Sequence, residues 1–279
     1  MNRAAPYRAA LLLPALLLLA LAAAPARSEE KLPVPLKLAP SAARQYDECL
    51  ALARKDPQRA YDRATTWRNT GGGFPADHCA AVALVEMRKY TEGAQKLEGM
   101  AGAMMQADPG MRAEALEQAG NAWLLANKPV AAKADFDAAL ALKPKDVEIL
   151  IDRAEASALD EKFFDAIDDL NRVLDVSPKR VDALIYRASA YRQLGSLDLA
   201  LDDATRALML DPNALAGLLE RGNIRRLKGD RDGAKSDWQR ILQLDAKAPE
   251  AKAARDNLAR LEAAGPAEAG VGAAKPAKP

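Results

Sequence analysis

Leu140-Ala141-Leu142-Lys143-Pro144, Leu174-Asp175-Val176-Ser177-Pro178, Leu208-Met209-Leu210-Asp211-Pro212 and Leu242-Gln243-Leu244-Asp245-Ala246 are four versions of one segment end. The steps from 144 to 178, from 178 to 212 and from 212 to 246 are equal. Ala132, Ala166, Ala200 and Ala234 keep the same step, and so do Asp135, Asp169, Asp203 and Asp237. A fixed period of this length means stacked supersecondary units, none of which buries its apolar face alone. The four units run approximately over 113–146, 147–180, 181–214 and 215–248, so the regular array covers 111–246.

Composition narrows the chemistry. Of 279 residues, 49% are hydrophobic but only 5% aromatic, and much of the apolar share is alanine. Alanine is the best helix former and lets helices approach closely, which favours helix over sheet. The formal charge of +1 leaves no electrostatic case for nucleic acid as the main ligand. One histidine and two cysteines starve the usual catalytic and metal-site chemistries. No enzyme activity and no cofactor is therefore expected.

Residues 1–26 read as a secretory signal peptide. Arg3 and Arg8 form a positive start, Leu11 to Leu21 an apolar stretch broken by Pro14, and Ala24-Pro25-Ala26 offers small residues at the cleavage positions. Cleavage after Ser28 fits nearly as well. A membrane anchor needs about 20 apolar residues, more than this interrupted stretch supplies, and no later segment is apolar enough to span. The expected location is thus an exported compartment, most simply a periplasm. Residues 27–40, with Pro33, Pro35 and Pro40, read as an extended linker.

Residues 41–110 read as helical hairpins of less regular pattern. Tyr46, Leu50 and Ala53 share one face of a first helix. Asp56-Pro57 starts a second, by capping free N–H groups and by supplying a proline suited to the first helical position. Gly71-Gly72-Gly73 reads as that helix's end, because it lacks the Gly-Lys-Ser/Thr of a phosphate loop. A third helix starts at Pro75, and a fourth follows Tyr90. Cys49 and Cys79 lie on the first and third helices, and side-by-side packing of those helices in a solenoid would allow the two to meet. In an exported chain a disulfide is the expected outcome, with two buried thiols as the alternative. His78 beside Cys79 does not make a nucleophile pair, because adjacent helical residues point about 100° apart.

A 34-residue period with a small residue mid-unit and a proline near its end resembles the tetratricopeptide (TPR) repeat. The framework positions of that repeat fall on Leu116, Gly120, Trp123, Ala132, Phe136 and Ala139 in the first unit. They fall on Leu150, Ala154, Ser157, Ala166, Leu170 and Val173 in the second, and on Leu184, Ala188, Tyr191, Ala200, Ala204 and Ala207 in the third. In the fourth they are Leu218, Gly222, Arg225, Ala234, Trp238 and Ile241. The resemblance implies an all-α, right-handed superhelical solenoid of antiparallel helix hairpins. A capping helix over 249–264 and a tail over 265–279, disordered by composition, complete the organisation.

The resemblance also implies a concave surface lined by the first helix of each hairpin. One row is Glu117, Ile151, Ile185 and Leu219, the next Asn121, Glu155, Ser189 and Asn223, and a third ends in Arg192 and Arg226. These rows form a candidate groove for a protein or peptide segment, acidic at its early end and basic at its late end. The alternative is that Ile151 and Ile185 pack between neighbouring helices. Chaperone-binding relatives clamp a carboxylate with lysine and asparagine on these rows. Glu117 and Glu155 stand here where cations are needed.

Arg153, Arg187, Arg221 and Arg255 recur at the same step, each following Asp135, Asp169, Asp203 and Asp237 respectively at one constant offset. One unit earlier, Ala101 and the partner position Ala119 are both uncharged. Pairing between each aspartate and the arginine of the following unit accounts for that joint absence. The expectation is an inter-repeat ladder locking the units. The functional expectation is a non-enzymatic exported scaffold that binds a protein or peptide partner in the cell envelope. Self-assembly into a homo-oligomeric structural component is the alternative.

Overall fold

The structure, a computed structural model, describes residues 39–104 and 109–263. The signal peptide expected over 1–26, the linker up to residue 38 and the tail over 265–279 lie outside the described residues. The elements are α1 (Pro40–Ala53), α2 (Pro57–Trp67), α3 (Gly73–Glu86), α4 (Tyr90–Ala103), α5 (Pro109–Leu125), α6 (Pro129–Leu142) and α7 (Val147–Leu159). They continue with α8 (Phe163–Val176), α9 (Val181–Gln193), α10 (Leu197–Leu210), α11 (Leu215–Leu227), α12 (Arg231–Leu244) and α13 (Pro249–Ala263). Among the described residues there is no strand. Each helix packs on the next, and the odd-numbered helices from α5 to α13 also touch one another directly. That is the solenoid arrangement of helix hairpins.

The turns are set by the same step as the helices. Asn127, Glu161, Gly195 and Gly229, one repeat period apart, have positive φ between 56° and 84°. They reverse the chain inside each hairpin. Asp56 and Asp230 cap their helices through Arg59 N–H and Gly233 N–H. Ser196, one repeat period before Asp230, makes no such bond.

Close packing inside each hairpin follows a size rule. A Cβ added at Gly120 would lie 2.5 Å from the Phe136 ring, and one at Gly222 would lie 2.5 Å from Trp238. The unit pairs a large residue on the second helix with glycine on the first, and a smaller one with alanine, as in Ala154 opposite Leu170 and Ala188 opposite Ala204. Phe136, Leu170, Ala204 and Trp238 are all buried. Interiors packed to this density have no room for an extra methyl without displacement.

Residues 40–103 depart from the rule. α2 ends at the glycines: beyond Trp67 one wide turn over Arg68–Gly72 leaves helical geometry at Thr70 and at Gly71, whose φ is 99°. The next helix, α3, begins at Gly73, two residues before the expected Pro75. Gly72 permits this because a Cβ there would meet the Trp67 ring and the Ala76 methyl, each at 2.7 Å. Cys49 and Cys79 are joined as a disulfide with Cα atoms 6.1 Å apart, inside a cluster with Tyr46, Leu50, Ala64, Trp67, Ala76 and Ala80.

Candidate protein-binding face

The hydrogen bonds correct the expected ladder. Arg153 Nε and Nη2 donate to Asp169 at 2.7 and 2.5 Å, Arg187 to Asp203 at 2.7 and 2.8 Å, and Arg221 to Asp237 at 3.0 and 2.6 Å. Each fork therefore closes within one unit, between its first and second helix, not across units. The arginine meets the helix packed most closely on its own, and bidentate geometry rewards that approach. Two end residues are stranded as a consequence. Arg255 donates instead to the Ala246 carbonyl at 3.0 Å. Asp135 lies beside Glu98, and its carboxyl is pushed up to about 7, first by burial and then by the Glu98 charge. Glu98 also accepts from the Trp123 indole at 2.7 Å.

Units are still joined by the arginines, through a different residue. The third nitrogen of Arg153 reaches Asp137 and that of Arg187 reaches Asn171, at 2.6 and 2.7 Å, each on the preceding hairpin. Hydrogen bonding to Asp169 and to Asp203 raises the two guanidinium groups above the ordinary arginine value. Arg225, at a position the repeat gives to an aromatic, adds a third contact to Asp237 at 2.8 Å. The charged residue is absorbed into the ion cluster there.

A second inter-helix row has no counterpart in the sequence-based expectations. Gln118, Asp152, Tyr186 and Glu220 are one repeat period apart on successive first helices. Gln118, Asp152 and Glu220 are buried, and each reaches back to the preceding first helix. Gln118 Oε1 accepts from His78 Nε2 at 2.6 Å, Asp152 accepts from Asn121 at 3.0 Å, and Glu220 accepts from Arg192 at 2.5 Å. The periodic recurrence of a polar side chain was the available signal. His78 Nδ1 in turn accepts from the Tyr46 hydroxyl at 2.7 Å. Complete burial lowers the histidine to about 4, so the ring is neutral and acts as a strut between α1, α3 and α5.

The candidate groove residues divide accordingly. Ile151 is buried in the core, so the apolar inner row expected of the groove is interrupted there. Ile185 and Leu219 are half-buried against the core clusters, and Ile185 faces Gly217 of the following unit. Glu117, Asn121, Glu155, Ser189, Arg192 and Asn223 are half-exposed, and Arg226 is exposed. Asn121 and Arg192 are engaged with Asp152 and Glu220, Ser189 accepts from Arg192 at 3.3 Å, and Asn223 accepts from Asn257 of α13 at 2.9 Å. The inner face is thus a preformed polar surface, held by bonds between neighbouring first helices. It runs from Glu117 and Glu155 at one end to Arg192 and Arg226 at the other.

Among the described residues no group of three or more His, Cys, Asp or Glu side chains is placed to hold a metal, and no helix is long and apolar enough to cross a membrane. No protein-family model matches the chain, and no curated protein matches it in sequence. Solved structures do match. MamA from Desulfovibrio magneticus RS-1 aligns at 20% identity and a TM-score of 0.53, over 65% of this chain and 94% of its own. YrrB, described as a TPR protein with an unusual peptide-binding site, aligns at 17% identity and a TM-score of 0.51, over 69% and 97%. The chain has the TPR-type solenoid fold.

Proposed function

We propose that this chain is a non-enzymatic, exported TPR scaffold that holds a protein or peptide segment against its concave face. The observation that carries the reading is the inner polar row from Glu117 and Glu155 through Ser189 and Asn223 to Arg192 and Arg226. Its residues are half-exposed or, at Arg226, exposed, Asn121, Arg192 and Asn223 on the same face are fixed by inter-helix hydrogen bonds, and its charge is graded along the solenoid axis. Preorganised polar groups lose little freedom on binding, and a charge gradient orients an elongated ligand. YrrB shares the fold and carries a peptide-binding site, which supports the same use here. The export reading rests on the pattern of residues 1–26 and agrees with a disulfide in the chain.

Photocrosslinking in the native compartment tests it. A crosslinker replacing Ser189 is expected to trap a discrete protein adduct that one replacing Met209, 77% exposed on a second helix, does not trap. Equal adducts at both positions, or none at Ser189, would reject the groove. Adducts joining two copies of the chain would favour self-assembly instead.

A further inference from the structure

The basic end of the inner face is longer than the four repeats. Arg192, Arg226 and Arg260 keep the repeat period on α9, α11 and α13, so the capping helix continues a row that begins in the array. Helix α11 touches both α9 and α13, and Asn257 of α13 bonds to Asn223 of α11, three residues before Arg260 and Arg226 respectively. Arg226 is exposed as a residue, but desolvation of its guanidinium, the larger cause, and the charges of Arg192 and Arg260 lower its proton affinity below the ordinary arginine value. Only Arg192 is neutralised, by the buried carboxylate of Glu220. Among the described residues no carboxylate pairs with Arg226 or Arg260, although most other arginines of the array have one. Like charges held side by side without a counter-ion cost stability, and a terminal helix that served only to cover the core does not need Arg260 at this position.

We propose that Arg226 and Arg260 form the docking site for an acidic, extended peptide segment whose two carboxylates lie three residues apart. Packed helices are spaced about 8–10 Å. A polyproline-II-like chain repeats its face every three residues and advances about 9 Å in doing so, within that range of helix spacing. Each carboxylate accepts from one guanidinium, in charge-assisted bonds. The site deepens the scaffold reading and rests on the concave face being a binding face. It assigns the capping helix to ligand recognition as well as to covering the core.

Fluorescence anisotropy on the purified full chain tests this. The probe is a labelled eight-residue glycine–serine peptide carrying glutamates three residues apart, with its glutamine counterpart as the control. The glutamate peptide is expected to bind at least about tenfold more tightly than the glutamine one. That preference disappears in Arg226→Glu/Arg260→Glu, whose exposed positions leave the helical circular dichroism unchanged, and it falls with added salt. Equal binding of the two peptides, or full binding to the double variant, overturns the proposal. The Ser189 crosslink separates the two readings. An adduct that persists in the double variant, with no glutamate preference, keeps the groove and removes the arginine site. A glutamate preference without any Ser189 adduct keeps the arginine site and removes the groove.

Discussion

The stretch from α1 to α4 is held by contacts that occur once: the Cys49–Cys79 disulfide, the Tyr46–His78–Gln118 relay and the Gly72 approach to Trp67. The stretch from α7 to α12 is held by one contact made three times, an arginine fork on a buried aspartate, with the Asp169, Asp203 and Asp237 side chains only 3–4% exposed. Both stretches stack hairpins, but the first compensates with covalent and buried polar links for a repeat pattern it lacks. Periodic contacts distribute stability along a solenoid, whereas single contacts concentrate it.

Removing the disulfide is the strongest way to break that contrast. Cys49→Ala/Cys79→Ala is expected to cost on the order of 3–4 kcal/mol, since the bridge closes a loop of 30 residues' separation. Amide hydrogen exchange should then accelerate across α1 to α4 while α7 to α12 keep their protection. Acceleration of equal size in both stretches would mean that the array depends on its end, and the comparison would fail. Next in size is Asp203→Ala. It leaves the half-buried Arg187 guanidinium without its carboxylate, beside Asn171 and the Tyr191 ring, so a loss of about 2–3 kcal/mol is expected in denaturant unfolding. A loss under about 0.5 kcal/mol would place the forks among ordinary surface pairs.

Much of this fold was legible because its information is periodic. The repeat step implied one helix hairpin per unit, and α5 to α12 form four such hairpins. The direction of the Asp–Arg pairing was not legible. Arg187 stands almost midway in sequence between Asp169 and Asp203, so both registers fit a linear reading. The joint absence of charge at Ala101 and Ala119 suited the wrong one. Only the three-dimensional contact between helices of one hairpin decides between them, and the stranded pair it creates, Asp135 with Glu98, has no linear signature. At Ile151 the packed alternative holds, and the sequence left it open for a related reason. A first-helix position between packing positions is open or closed depending on how tightly the next unit stacks. Gln118, Asp152, Tyr186 and Glu220 share the repeat step, but in a linear reading polar residues at a repeat position are indistinguishable from solvated surface.

The size rule inside the hairpins offers a test of intermediate magnitude. Gly222→Ala places a methyl 2.5 Å from the Trp238 indole, and Gly120→Ala does the same against Phe136. Each should cost about 1–2 kcal/mol through displaced aromatic rings, despite alanine's better helix propensity. Substituting the glycine together with its partner, as Gly120→Ala/Phe136→Leu, reproduces the Ala154 and Leu170 combination already present one unit later. The double variant should recover part of that loss, and thermal unfolding of the pair against the single changes measures it. No recovery would show that the ring, rather than the match of sizes, sets the packing there.

The smallest expected effect sits at the junction of the two stretches. Asp135 binds its proton up to about 7 in the folded chain and only to about 4 in the unfolded one. Between those values the folded state holds more protons than the unfolded state, so stability falls as pH rises through this window. Glu98 is half-exposed, and water screens the two carboxylates, which keeps the effect near or below about 1 kcal/mol. His78 acts in the opposite sense, because its folded value of about 4 lies below the ordinary 6.5, so the unfolded state binds the proton first and stability rises with pH up to about 6.5. Asp135→Asn removes the second charge and leaves His78 in place, so its stability relative to the parent chain should rise from pH 5 to pH 8. A difference between the two chains that stays level from pH 5 to pH 8 would move the junction's weight from this carboxyl pair to the neutral Tyr46–His78–Gln118 relay.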